Sequence, residues 1–142
     1  QALLDGGADV DVQTDTGLTP LMYAISEGIH RRTEIVITLL EGGADPNAQD
    51  NYGNTALHHA ARWDRSEMIP LLIEYGASID LQDNIGYTAL HQAAKWDKAG
   101  ALSTLLEHGA SLDLKNSRGQ TALGVALDDR IIEILREAGA EE

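Results

Sequence analysis

The phrase Gly-x-Thr-(Pro/Ala)-Leu recurs four times in this chain, at residues 17–21, 53–57, 86–90 and 119–123. Its glycines are spaced by 36, 33 and 33 residues. A second marker, Gly-Ala, stands at 7–8, 43–44, 76–77, 109–110 and 139–140, spaced by 36, 33, 33 and 30. Two unrelated markers that keep one period, and depart from it in the same places, define a repeat array rather than a single irregular domain.

Each unit can be read physically. The threonine is placed to cap a helix, its side-chain oxygen accepting from a free amide of the first turn. Pro20 follows Thr19 at the helical position where a missing N–H is harmless; Ala56, Ala89 and Ala122 take that slot later. A short helix follows, such as Ala56-Leu57-His58-His59-Ala60-Ala61, whose small residues permit close helix approach. A tight turn leads to a second helix, for example Met68-Ile69-Pro70-Leu71-Leu72-Ile73. Gly76 ends it, because glycine reaches the left-handed conformation a helix terminus needs. A polar stretch over 78–84 carries the chain onward. Burying one Leu or Ile is worth roughly 1.5–3 kcal/mol, against about 1–2 kcal/mol of backbone entropy for every residue ordered. A lone helix pair therefore does not fold, whereas stacked pairs share one core.

Thr55-Ala56-Leu57-His58-His59-Ala60-Ala61 with Leu71-Leu72-Ile73-Glu74-Tyr75-Gly76-Ala77 resembles the two halves of the ankyrin repeat. The stretches 88–94 with 105–110, and 19–21 with 39–47, resemble them again. The resemblance covers essentially the whole chain. It implies an all-α solenoid of stacked helix-turn-helix units with β-hairpin-like loops, forming a single domain over 1–142. We divide it into a terminal half-unit (1–13), units at 14–49, 50–82 and 83–115, and a shortened unit at 116–142. Gln1-Ala2-Leu3-Leu4 reads as the last turn of a helix already under way, as in a piece of a longer protein.

Departures from the pattern are also legible. The first unit carries three extra residues around Ile29-His30-Arg31, and the last lacks three around 127–130. Asp64 and Asp97 stand at a turn site where the family usually has glycine; aspartate tolerates left-handed geometry better than most residues, at a cost. Pro70 falls early in a second helix, where it is expected to distort the first turn. Gly124 replaces the usual histidine and is expected to loosen its helix.

Composition narrows the function. A formal net charge of −13 opposes binding to the nucleic-acid phosphate backbone and to anionic membranes, and suits a basic protein partner. No cysteine is present, so there is no disulfide framework or thiolate metal site; this fits a reducing, cytoplasmic or otherwise intracellular setting. No apolar run is long enough to span a bilayer. His58 and His91 share one repeat position and read as structural, each tying neighbouring units through backbone groups. His59 and His108 read as single surface residues, and His30 belongs to the inserted turn. Aspartates recur at loop sites (Asp50 and Asp83; Asp11, Asp80 and Asp113), where short acidic side chains bond turn amides. No catalytic constellation, phosphate loop or metal motif is present, so we expect no enzyme activity and no cofactor.

Only six aromatic residues exist: Tyr23, Tyr52, Tyr75, Tyr87, Trp63 and Trp96. The two tryptophans lie in the matched phrases Arg62-Trp63-Asp64-Arg65 and Lys95-Trp96-Asp97-Lys98. The ankyrin resemblance implies that these positions, with the loop-tip residues Tyr52, Asn54, Ile85, Tyr87 and Arg118, lie on the concave face through which the family grips partners. Trp, Tyr and Arg are enriched at binding hot spots. The expected function is therefore a protein-interaction scaffold or adaptor, with Tyr52, Asn54, Arg62, Trp63, Ile85, Tyr87, Lys95, Trp96 and Arg118 touching a protein or peptide and the chain acting as a monomer. The competing readings are an acidic inhibitor or immunity-type protein that occludes a basic partner, and a targeting segment of a larger protein. Asn47 is similar to the loop asparagine that an asparagine hydroxylase modifies in animal ankyrin repeats, with Pro46 departing from the usual aliphatic neighbour.

Overall fold

A computed structural model of the chain describes residues 9–28 and 30–141. The expected helical turn at residues 1–4, the first Gly-Ala and most of the terminal half-unit, together with Ile29 and the final residue, lie outside the described residues. Among those described, eight helices follow one another in pairs: α1 (Pro20–Ser26) with α2 (Arg32–Glu41), α3 (Ala56–Arg62) with α4 (Met68–Glu74), α5 (Ala89–Lys95) with α6 (Ala99–Glu107), and α7 (Ala122–Val125) with α8 (Asp129–Glu137). First helices pack on first helices in the order α1, α3, α5, α7, and α4, α6 and α8 form a second layer behind them. No β-strand occurs among the described residues, in agreement with an all-α solenoid.

The threonines cap the first helices as expected. Thr19, Thr88 and Thr121 each accept from the amide three residues on, at 3.2–3.3 Å. One cluster of buried side chains runs from Leu21 to Leu135 and so through all four pairs. Its bulk is aliphatic, and Ala60, Ala61, Ala93 and Ala94 are fully buried where first helices meet. In α8 only Ile131 and Leu135 are buried, while Asp129, Arg130, Glu133 and Glu137 face solvent.

Between pairs the chain forms tight, hairpin-like loops. The Asp50 amide donates to the Asn54 carbonyl and the Gly53 amide returns to Asp50, both at 2.9 Å. The same two bonds close the loops at Thr14–Leu18, Asp83–Tyr87 and Asn116–Gln120. The Asp50 carboxylate oxygen Oδ1 also accepts from the Tyr52 and Asn54 amides at 2.9 Å each, and Asp83 does the same for Ile85 and Tyr87. Asp50 and Asp83 therefore serve turn amides, as expected.

Adjacent loops are bonded edge to edge. The amides of Asn51, Asn84 and Ser117 donate to the carbonyls of Thr16, Tyr52 and Ile85 in the preceding loop, each at 3.0 Å. This approach is close enough to dictate glycine. A Cβ built on Gly53 would lie 2.5 Å from the Asn84 side chain, and one on Gly86 would lie 2.8 Å from the backbone of Asn116. Both glycines also have φ near +80°. Gly119 shares the left-handed φ, at +75°, but faces open space because no further loop stacks on it among the described residues.

Histidines complete the coupling. The Thr55 amide donates to Nδ1 of His58 at 3.0 Å, which leaves the proton on Nε2, and that group donates to the Tyr87 carbonyl of the next unit at 2.7 Å. His91 repeats this between the Thr88 amide, at 3.2 Å, and the Gln120 carbonyl, at 2.9 Å. Both imidazoles are almost wholly buried. Desolvation lowers their pKa below the ordinary 6.5, outweighing the opposing backbone bond and the Asp83 charge. Outer loops add side-chain ties: Asp11, Asn47 and Asp80 accept from the amides of Asp45, Ser78 and Ser111 one unit on, at 2.8–3.0 Å. The Asn47 amide group also donates to the Gly76 carbonyl at 3.0 Å.

The irregular positions have local explanations. Asp64 and Asp97 do adopt left-handed backbone, at φ +53° and +59°. Asp64 offsets its strain by accepting from the Ala101 amide in the first turn of α6 at 2.8 Å. Before Pro70, the Met68 and Ile69 amides bond three residues back, so a tight 3₁₀-type turn precedes the proline, whose own N–H would have been an orphan of the first turn. The helix holding Gly124 is the shortest, with four residues. Beside the inter-helix turn of the first unit, Arg32 donates to the carbonyls of Ala24 and Glu27 at 3.2 and 2.6 Å.

Two measurements probe this coupling. Gly119→Ala incurs only left-handed strain, about 1–2 kcal/mol, whereas Gly86→Ala also drives a methyl into the neighbouring loop and costs about 2–5 kcal/mol in all; urea unfolding of the two variants should show that order. For the histidines, the unfolded chain binds more protons than the folded one between the lowered folded pKa and 6.5, so stability should fall as pH drops below 6.5 and level off once the folded imidazoles titrate. The double variant His58→Gln/His91→Gln should be less stable at neutral pH and show a flatter stability profile between neutral pH and about pH 5.

Candidate functional site

First helices and loop tips together wall an open groove of about 590 Å³. Tyr52, Asn54, Asn84 and Ile85 come from the loops, and Ser26, His59, Arg62, Trp63 and Gln92 from the ends and faces of α1, α3 and α5. A second hollow of about 640 Å³ lies beside Gln120, Leu123 and Ile132, on the last of the described units.

The groove has an unusual surface for a chain with few aromatics. Tyr52 is 67% exposed, Ile85 55%, Trp63 47% and Trp96 42%. Each tryptophan is the C-cap of its first helix, the point where the helix stops and a large ring is carried clear of the core. The Arg62 guanidinium sits 4.8 Å from the Trp96 ring centroid and 5.8 Å from that of Trp63, so it spans two units. The Lys95 ammonium lies 5.6 Å from the Trp96 ring and 5.2 Å from the Tyr87 ring. The result is a ladder of alternating rings and cations.

Trp96 is held from beneath. Its indole N–H donates to Oε1 of Gln92 at 3.1 Å, and the Gln92 amide group points to Asp83 Oδ2 at 3.4 Å. In the unit before, the place of Gln92 is taken by His59, whose Nε2 meets Asp50 Oδ2 at 3.0 Å and whose Nδ1 meets Ser26 Oγ at 3.2 Å. Desolvation by burial lowers the His59 pKa, against the opposing Asp50 hydrogen bond and charge.

Two expectations need correcting. Tyr87 is not a face residue: it is 9% exposed, with its ring 5.4 Å from that of His91, because the same loop closure that exposes Ile85 turns the residue after Gly86 inward. His59 is not a surface residue, since its side chain is 13% exposed and bridges two units. The basic residues also divide. Arg65 donates to the Ile25 carbonyl across a unit boundary at 3.2 Å and, like Arg32, is structural, while Arg62, Lys95 and Arg118 are exposed. Asn54 lines the groove, and its Oδ1 is buried without a hydrogen-bond partner. The roles of Gln92 and His59 in supporting the wall were missed from sequence. Their signal was the shared position four residues after the capping threonine.

No helix among the described residues is long and apolar enough to cross a membrane, and no group of three or more metal-ligand side chains gathers among them. In comparisons with known proteins, a family model described as ankyrin repeats (3 copies) matches residues 1–83 and, overlapping, 75–141. No curated protein matches the chain.

Proposed function

Because this chain belongs to the ankyrin-repeat family, whose members generally serve as protein-interaction modules, we propose that it binds a segment of a partner protein in its concave groove, anchored on Trp63 and Trp96. The observation that carries this reading is the gathering of Tyr52, Trp63 and Ile85, all large, apolar and exposed, along one open groove, with the exposed Trp96 ring joined to Trp63 through Arg62. Apolar side chains scattered singly over a surface need no explanation, but a contiguous set does.

The mechanism is presentation of a preformed surface. The loops are bonded to each other and the first helices are packed through their alanines, so little freedom is lost here when a partner docks, and the ordering cost falls on the partner. Indole rings suit this task, since they bury much area with few rotatable bonds. Tyr52 and Ile85 line the loop side of the groove, and Arg118 holds the same place before its loop glycine in the next unit. The family is typically non-enzymatic, and binding alone accounts for the groove; a role as adaptor needs no cofactor.

Peptides selected on the intact chain from a random displayed library test the reading. Trp63→Ala/Trp96→Ala should remain folded, because both rings are half exposed, and should bind the selected peptides at least about a hundredfold more weakly, as expected for two hot-spot truncations of about 1.4 kcal/mol or more each. Undiminished affinity in the folded double variant, measured by calorimetry, would refute the concave site.

A further inference from the structure

The groove cations stand out by the rings they touch. The chain carries 23 acidic against 10 basic residues. Arg31 pairs with Glu34 at 3.6 Å. Neither Arg62 nor Lys95 has an ion pair among the described residues. Both lie instead on ring faces, Arg62 on Trp96 and Lys95 on Trp96 and Tyr87. A guanidinium stacked on a ring keeps its in-plane N–H groups free, and those form the planar fork that fits a carboxylate. No carboxylate occurs on α3 or α5.

Resting on the concave-face reading, we infer that the Trp63–Arg62–Trp96–Lys95 ladder recognises carboxylates on an extended partner segment, whose neighbouring apolar side chains cover the indoles. Arg62 and Lys95 hold the same position in successive units, 33 residues apart. Adjacent packed helices lie about 8–10 Å apart. An extended segment of polyproline II type advances about 3.1 Å per residue and returns to the same side every third residue. Acidic residues three apart would therefore meet Arg62 and Lys95 in turn. A dianion suits the site less well, because Asp50 and Asp83 lie in the groove wall and Glu27 stands at its edge. The partner's carboxylates also restore on binding the charge pairs that these two cations lack in the free chain.

The test uses the whole chain and peptides selected on it from a random library, then resynthesised. Bound peptides should carry Asp or Glu at i and i+3 beside aliphatic or aromatic residues. Arg62→Gln and Lys95→Gln should each weaken them on the order of tenfold with the fold unchanged by circular dichroism, as expected for a charge-assisted pair partly shielded from water. Arg62→Glu should abolish binding, and replacing the matching peptide acid by Lys should restore it. Rising ionic strength should weaken the wild-type complex. Peptides that need Trp63 and Trp96 but carry no acid, and ignore both Gln substitutions, would overturn the carboxylate inference and leave the groove reading standing. Peptides that ignore the tryptophans would sink the groove reading itself. Tighter binding when phosphoserine replaces the acid would show that phosphate, not carboxylate, is the ligand.

Discussion

Adjacent loops in this protein approach so closely that the amide of one bonds the carbonyl of the last at 3.0 Å, three times in succession. That approach depends on the absence of a side chain at Gly17, Gly53 and Gly86. It fixes the spacing of the units, brings the His58 and His91 rings within reach of the next unit's carbonyls, and lets buried alanines bring the first helices together. A helix pair with so small a core has no independent stability. The edge-to-edge loop contact is what allows several weak units to share one continuous apolar interior.

The same contact builds the groove. Once loops and first helices are locked in line, residues that recur at one repeat position fall into rows across the stack. Trp63 and Trp96 become neighbours linked by Arg62, although 33 residues separate them in the chain. The polar wall beneath them is built likewise: Asp50 meets His59 and Asp83 meets Gln92 at equivalent places. In both cases one carboxylate oxygen organises the turn and the other steadies a first-helix side chain. The loop aspartates thus join the folding of each turn to the positioning of the groove.

Much of this was legible because a repeat turns sequence position into spatial position. The period, the threonine caps and the helix-ending glycines followed from local chemistry applied unit by unit, and the solenoid from the resemblance to ankyrin repeats. The left-handed aspartates were legible too, since they stand where a turn demands φ > 0. What escaped were choices between neighbours. Tyr87 looked like a companion of Tyr52 and Ile85, yet one residue along a tight turn separates the exposed side from the buried side. His59 looked like a stray surface residue, because Ser26 and Asp50, which enclose it, lie on other elements. The cations looked alike, yet Arg32 and Arg65 are spent on carbonyl oxygens and Arg62 and Lys95 on rings.

The sequence by itself determined the elements, their order, the stacking and the aliphatic core, because each depends on backbone geometry and apolar spacing within about one repeat length. Only the tertiary structure decided which polar and aromatic side chains are consumed in holding units together and which are left exposed. That division is set by contacts between residues about 30 positions apart, whose angles and distances no local pattern encodes.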